Sequence, residues 1–169
     1  MSFPCLFLIG CSQQVNAMGL LDFLEIDVFT ELNGIVTRAE EPLSGVQVTL
    51  NVRISFNDEK FEVSTLTDES GRFHFDSIRA KSVNSFLPSA KMVEQKIVIT
   101  IDQQEYLAWE MVKNNYDYNG ELNDFNGDKS QSKIIPLKIT CELNNPSITR
   151  KAGTHEHVAL TGICRWDGE

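Results

Sequence analysis

No stretch of the sequence approaches the roughly 20 apolar residues that a bilayer-spanning helix requires. Basic residues are scarce as well: 15 Lys and Arg stand against 24 Asp and Glu, a formal charge of −9, and no basic run exceeds a pair. A nucleic-acid binder neutralises phosphates with clustered Lys and Arg, so that partner class is set aside. Histidine is limited to three residues, His74, His155 and His157, and there is neither a Cys-x-x-Cys pair nor a G-x-S-x-G elbow. Those gaps remove the commonest signatures of structural zinc and of a serine hydrolase. An acidic, otherwise ordinary composition suits a soluble surface and a basic protein partner.

What the chain has is alternation. From Val46 to Ile54 every second residue is apolar, with Gln47, Thr49, Asn51 and Arg53 between. Period two marks a strand with one buried face, because successive side chains point to opposite sides. Shorter strands are expected over 33–37, 61–67, 72–76, 96–101, 106–109, 134–143 and 158–164, and residues 85–95 are expected to hold a turn or two of helix. The joints carry turn chemistry: Pro42 and Gly45 before the long strand, and Asp68-Glu69-Ser70-Gly71 before Phe73 and Phe75. Many short strands at this spacing argue for an all-β sandwich of about seven to nine mostly antiparallel strands with little helix. At 169 residues one core suffices. Residues 114–132 and 144–157 read as polar loops, and Trp109 reads as core while Trp166 is open to either a core or a surface role.

Three pieces then resemble a known pattern. They are Gly34-Ile35-Val36, Pro42-Leu43-Ser44-Gly45-Val46-Gln47-Val48, and Thr67-Asp68-Glu69-Ser70-Gly71-Arg72-Phe73-His74-Phe75. Together they resemble the carboxypeptidase-regulatory-like, or transthyretin-like, β-sandwich domain, with Gly34, Pro42, Gly45, Asp68, Gly71, Phe73 and Phe75 as its signature positions. The remainder is similar to the tail of a bacterial family built on this sandwich. The resemblance implies architecture and a binding or structural role, without an activity, since a fold alone does not carry a function.

The N-terminal residues 1–20 read as a signal-like segment ahead of one domain, 21–169, whose C-terminal part extends beyond the resembling region. Leu8-Ile9-Gly10-Cys11 resembles a bacterial lipobox, which implies a lipid on Cys11, and Ser12 implies outer-membrane delivery on the periplasmic side. The alternative is a cytoplasmic protein that begins at Met18. Cys141 and Cys164 both fall on the buried parity of their strands. They are either a disulfide, which an oxidising envelope would preserve, or two buried thiols.

Metal and catalytic readings are thin. His155-Glu156-His157 supplies two imidazoles where structural zinc takes four ligands. Asp124-Phe125-Asn126-Gly127-Asp128 opens like a calcium loop but then places Lys129 and Ile135 where Gly and Glu belong. His74 alternates outward between two inward phenylalanines. No cofactor or metal is therefore expected, and a non-enzymatic role is. The expectation is a protein-binding module of the bacterial envelope, for example an immunity protein that caps a secreted toxin. Its membrane contact would come only through a lipid anchor. Tyr116, Asp117, Tyr118, Asn119, Glu121, Asp124 and Phe125 form the expected contact loop. The alternative is a structural or polysaccharide-binding envelope module.

Overall fold

The computed structural model describes residues 25–55, 58–81, 92–113, 136–151 and 159–166. Thirteen strands run through them and no helix occurs among these described residues: β1 (Glu25–Phe29), β2 (Leu32–Arg38), β3 (Glu41–Pro42), β4 (Gln47–Ile54), β5 (Glu59–Leu66), β6 (Arg72–Phe75), β7 (Ile78–Lys81), β8 (Val93–Ile101), β9 (Gln104–Lys113), β10 (Leu137–Glu142), β11 (Ile148–Lys151), β12 (Ala159–Gly162) and β13 (Cys164–Trp166). The protein is an all-β sandwich, as its alternation implies.

One layer is a six-stranded antiparallel sheet in the order β11-β12-β9-β8-β4-β5. The other has five strands: β13, β10 and β2 in order, with β3 and β6 sharing the far edge of β2. Within it β10 runs parallel to β2, Leu137 beside Leu32 and Glu142 beside Thr37. A two-stranded ribbon, β1 with β7, completes the fold. Val48, Leu50, Val52 and Ile54 of β4 and Ile97 and Ile99 of β8 face Phe73, Phe75, Val36 and Ile139 in one continuous core. A side chain of this size contributes ~1.5–3 kcal/mol when fully buried, which holds the register of each strand.

The turns follow their residue types. Gly45 has φ +69° and Gly71 φ +71°, a left-handed backbone that glycine adopts without steric cost. Gly71 is further confined, since an added Cβ would lie 2.6 Å from the Val36 carbonyl oxygen. Asp68 Oδ1 accepts the N–H groups of Ser70 and Arg72, both at 2.8 Å, and so closes the turn into β6. Gly34 is used differently: it lies directly across from Phe73, whose ring covers the space where a side chain would stand.

Four expectations need correction. Of residues 85–95, expected to hold a turn or two of helix, 85–91 lie outside the described residues, and 93–95 open strand β8 instead, with Val93 and Gln95 buried by alternation. Residues 148–151, expected within a loop, form edge strand β11, and Thr149 bonds the Thr161 hydroxyl across the pair at 2.9 Å. The run 158–164 is two strands in place of one. At Gly162 and Ile163 the chain leaves the six-stranded sheet for the five-stranded one, and any Cβ on Gly162 would strike the Ala108 carbonyl. Strands β1 and β7 were not foreseen, yet Val28 and Phe29 of β1 are core residues.

Candidate functional site

Two places in the structure carry more chemistry than packing alone demands. The first is the outer face of the six-stranded sheet. The alternation that sends Val48, Leu50, Val52 and Ile54 inward sends Gln47, Thr49, Asn51 and Arg53 outward. Register places Leu66, Ser64, Glu62 and Lys60 of β5 opposite them on one side. On the other side stand Thr100, Val98, Lys96 and Glu94 of β8. Strand β9 continues the face with Glu105, Leu107, Glu110 and Val112, offset by a bulge at Ala108 that lets Ala108 and Trp109 both be buried.

This surface is shallowly concave. One depression of about 590 Å³ is lined by Gln47, Thr49, Asn51, Glu62, Lys96 and Glu105, among others. A neighbouring one of about 380 Å³ lies over Asn51, Arg53, Lys60, Glu94 and Glu110. Arg53 spans Asp58 at 3.0 Å and Glu94 at 3.7 Å, and Thr49 shares a hydrogen bond with Ser64 at 2.9 Å. These exposed ion pairs contribute little to stability. Both signs of charge are interspersed on the face, Glu62, Glu94, Glu105 and Glu110 with Arg53, Lys60 and Lys96, and aliphatic side chains interrupt them. Leu66 is 63% exposed and Val112 38%. The described outer face carries no aromatic ring on which a sugar could stack. Its chemistry is that of a charged, partly apolar surface.

The second place is Glu142, at the end of β10. Its carboxylate accepts four hydrogen bonds at 3.0 Å: from the N–H groups of Ala39, Glu40 and Asn144 and from the Thr37 hydroxyl. Ala39 and Glu40 form the two-residue turn between β2 and β3 with φ 52° and 68°. In that mirror-image turn both amides point the same way and make a small anion cradle. The amides of Glu40 and Asn144, followed by those of Ala39 and the Thr37 hydroxyl, hold the Glu142 carboxyl at a pKa of about 2, against an opposing push from partial burial. A carboxylate satisfied in this way is a structural anchor: it clamps β10 to the β2–β3 turn and has no proton to give at neutral pH.

Other expected residues fall as follows. Cys141 and Cys164 sit directly opposite on β10 and β13 and are joined in a buried disulfide. Beside it Trp166 packs edge-on to the buried Trp109, centroids 6.3 Å apart, and Arg150 lies 4.7 Å above the Trp166 ring. Trp166 is thereby part of the packed end of the sandwich. His74 is outward, bonded to Asn33 at 3.0 Å and Asp76 at 3.1 Å, with no Ser or Cys among its bonded partners. Among the described residues no three His, Cys, Asp or Glu side chains converge as metal ligands would. Cys11, the contact loop Tyr116, Asp117, Tyr118, Asn119, Glu121, Asp124 and Phe125, and the pair His155 and His157 lie outside the described residues.

Two groups escaped the sequence reading. Glu142 ends a strand like any exposed acid, and only the parallel pairing of β10 with β2 brings it to the turn. Thr67 is buried and clips the β3–β4 connection, donating to the Leu43 carbonyl at 2.6 Å and accepting from Val46 N–H at 2.9 Å. Its place just ahead of Asp68 was the available signal. The sequence profile of a family described as a domain of unknown function (DUF6795) matches residues 32–146, more than half of the chain. No curated protein and no solved structure matches it.

Proposed function

The chain belongs to the DUF6795 family, and on that footing we propose that it is a non-enzymatic binding module whose partner is a basic protein held against the outer face of its six-stranded sheet. The observation that carries this reading is the open, charged face itself, on which Glu62, Glu94, Glu105 and Glu110 stand among Arg53, Lys60 and Lys96 in a molecule of net negative charge. Glu94, Glu105 and Glu110 are exposed there beside the aliphatic Val98, Leu107 and Val112. Opposite fields steer encounter, and exposed aliphatic groups within a charged rim supply the contact area. The net charge of −9 extends the same field over the molecule.

The buried Cys141–Cys164 bridge supports an oxidising compartment such as the bacterial envelope, where such bonds persist. An immunity protein that caps a secreted basic toxin is a concrete form of the proposal. A lipid on Cys11 would hold it at the membrane.

The test is capture of a defined partner from envelope extract by the full-length protein. It is repeated with Glu94, Glu105 and Glu110 each changed to Lys. A control changes Glu69, in the turn before β6, to Lys. Binding lost with the face variant and kept by the control supports the assignment. Binding indifferent to all three reversals on the sheet removes it.

A further inference from the structure

Strand β5 ends the six-stranded sheet and pairs only with β4 among the described strands. It is eight residues long, Glu59–Leu66, and contains no proline or glycine. On its core-facing parity Val63 is 43% exposed, while Phe61 is half-buried against the core. A long strand at the edge of a sheet is a template for another strand.

We infer that β5 pairs with β5 of a second copy of this chain, antiparallel about a two-fold axis, so that the two six-stranded sheets join into one. The argument is the charge order along the strand. Under two-fold symmetry residue i lies opposite j and j opposite i. Side chains directly opposite in an antiparallel pair share a face. Lys60 and Glu62 are both exposed and lie on the outer face, with Phe61 between them on the inner one.

A register centred on Lys60 sets two lysines against each other, and one centred on Glu62 sets two glutamates against each other. A register centred on Val63 leaves both charges opposite uncharged side chains. Centred on Phe61, the pairing places Lys60 against Glu62 of the second copy twice, once on each side of the axis. It also brings the two Phe61 rings together on the inner face and carries Val63 over the stem of Glu59 of the second copy. Like charges directly opposite destabilise a strand pair and opposite charges stabilise it, so the sequence of β5 selects this register. The contact is short and belongs with the small, transient class of interfaces. It involves none of the glutamates used to test the partner-binding face, so either assignment can fail while the other stands.

The experiment is sedimentation velocity on the full chain from roughly 10 µM to 1 mM, a range suited to weak association. The wild type is compared with Lys60→Glu, Glu62→Lys and the double variant, each checked for native circular dichroism. The wild type is expected to dimerise with rising concentration. Each single reversal should weaken dimerisation about tenfold, since it turns two attractive pairs into two repulsive ones. The double variant restores opposite charges across the axis and should recover the wild-type constant. A wild type monomeric throughout, single variants that associate like the wild type, or a double variant as weak as the singles each overturns the assignment.

Discussion

Replacing Glu142 with Gln tests whether one carboxylate clamps the two halves of the five-stranded sheet. The side chain joins the end of β10 to the β2–β3 turn through four donors: Thr37 Oγ1 and the amides of Ala39, Glu40 and Asn144. Glutamine preserves the volume but presents one carbonyl oxygen and an NH2, so the amides on its nitrogen side face a donor. The folded pKa of about 2 lies below the ordinary carboxyl value of 4.5. Because the folded value is depressed, the contribution is complete above pH 4.5 and is lost as the pH falls towards 2. Taken at face value the shift corresponds to ~3 kcal/mol, which partial solvent exposure of the carboxylate reduces to ~1–2 kcal/mol. Urea denaturation followed by tryptophan fluorescence is the assay, since Trp109 is buried. At pH 7 the Glu142→Gln midpoint should drop by about 1 M urea with an unchanged slope. The gap to wild type should narrow steadily between pH 4.5 and 2.5, a window within the titration. A gap of constant size across that range, or no gap at pH 7, refutes the reasoning.

Gly34→Ala should destabilise by ~1–3 kcal/mol, because the added methyl enters the space of the Phe73 ring; in a thermal melt Gly34→Ala with Phe73→Leu should cost less than the two changes summed. Glu40→Gly should raise stability by ~1 kcal/mol, since it relieves a residue at φ 68° while keeping the N–H that Glu142 uses; an unchanged denaturation midpoint would count against strain there. Replacing Cys141 and Cys164 together with Ala should cost about 3 kcal/mol in the loop-entropy view, given a separation of 23 residues. The same loss should follow reduction of the wild type before calorimetry. Thr67→Val keeps the shape of the side chain but leaves Val46 N–H and the Leu43 carbonyl without their hydroxyl partner. The expected loss of ~1–3 kcal/mol is readable by urea titration.

Local pattern determined a good deal of this protein without help. Alternation from Val46 to Ile54 settled both the strand and its buried face, because a one-residue slip would wet every aliphatic group at once. The glycine turns at Gly45 and Gly71 and the cap from Asp68 were legible for a similar reason: left-handed backbone and short side-chain bonds are properties of a few neighbouring residues. The pairing of Cys141 with Cys164 was open between bridge and free thiols until their strands proved to be neighbours.

What only the tertiary structure decided depends on which strand lies beside which. The parallel union of β10 with β2 carries Glu142 to a turn 102 residues away and makes it an anchor. The passage of the chain between sheets at Ile163 turns one apolar run into β12 and β13. The position of β5 at an edge exposes Val63 on a parity that would otherwise be buried. Alternation specifies a face, but the neighbours that cover it are chosen by the packing of distant segments. The candidate binding face and the exposed edge are consequences of that choice.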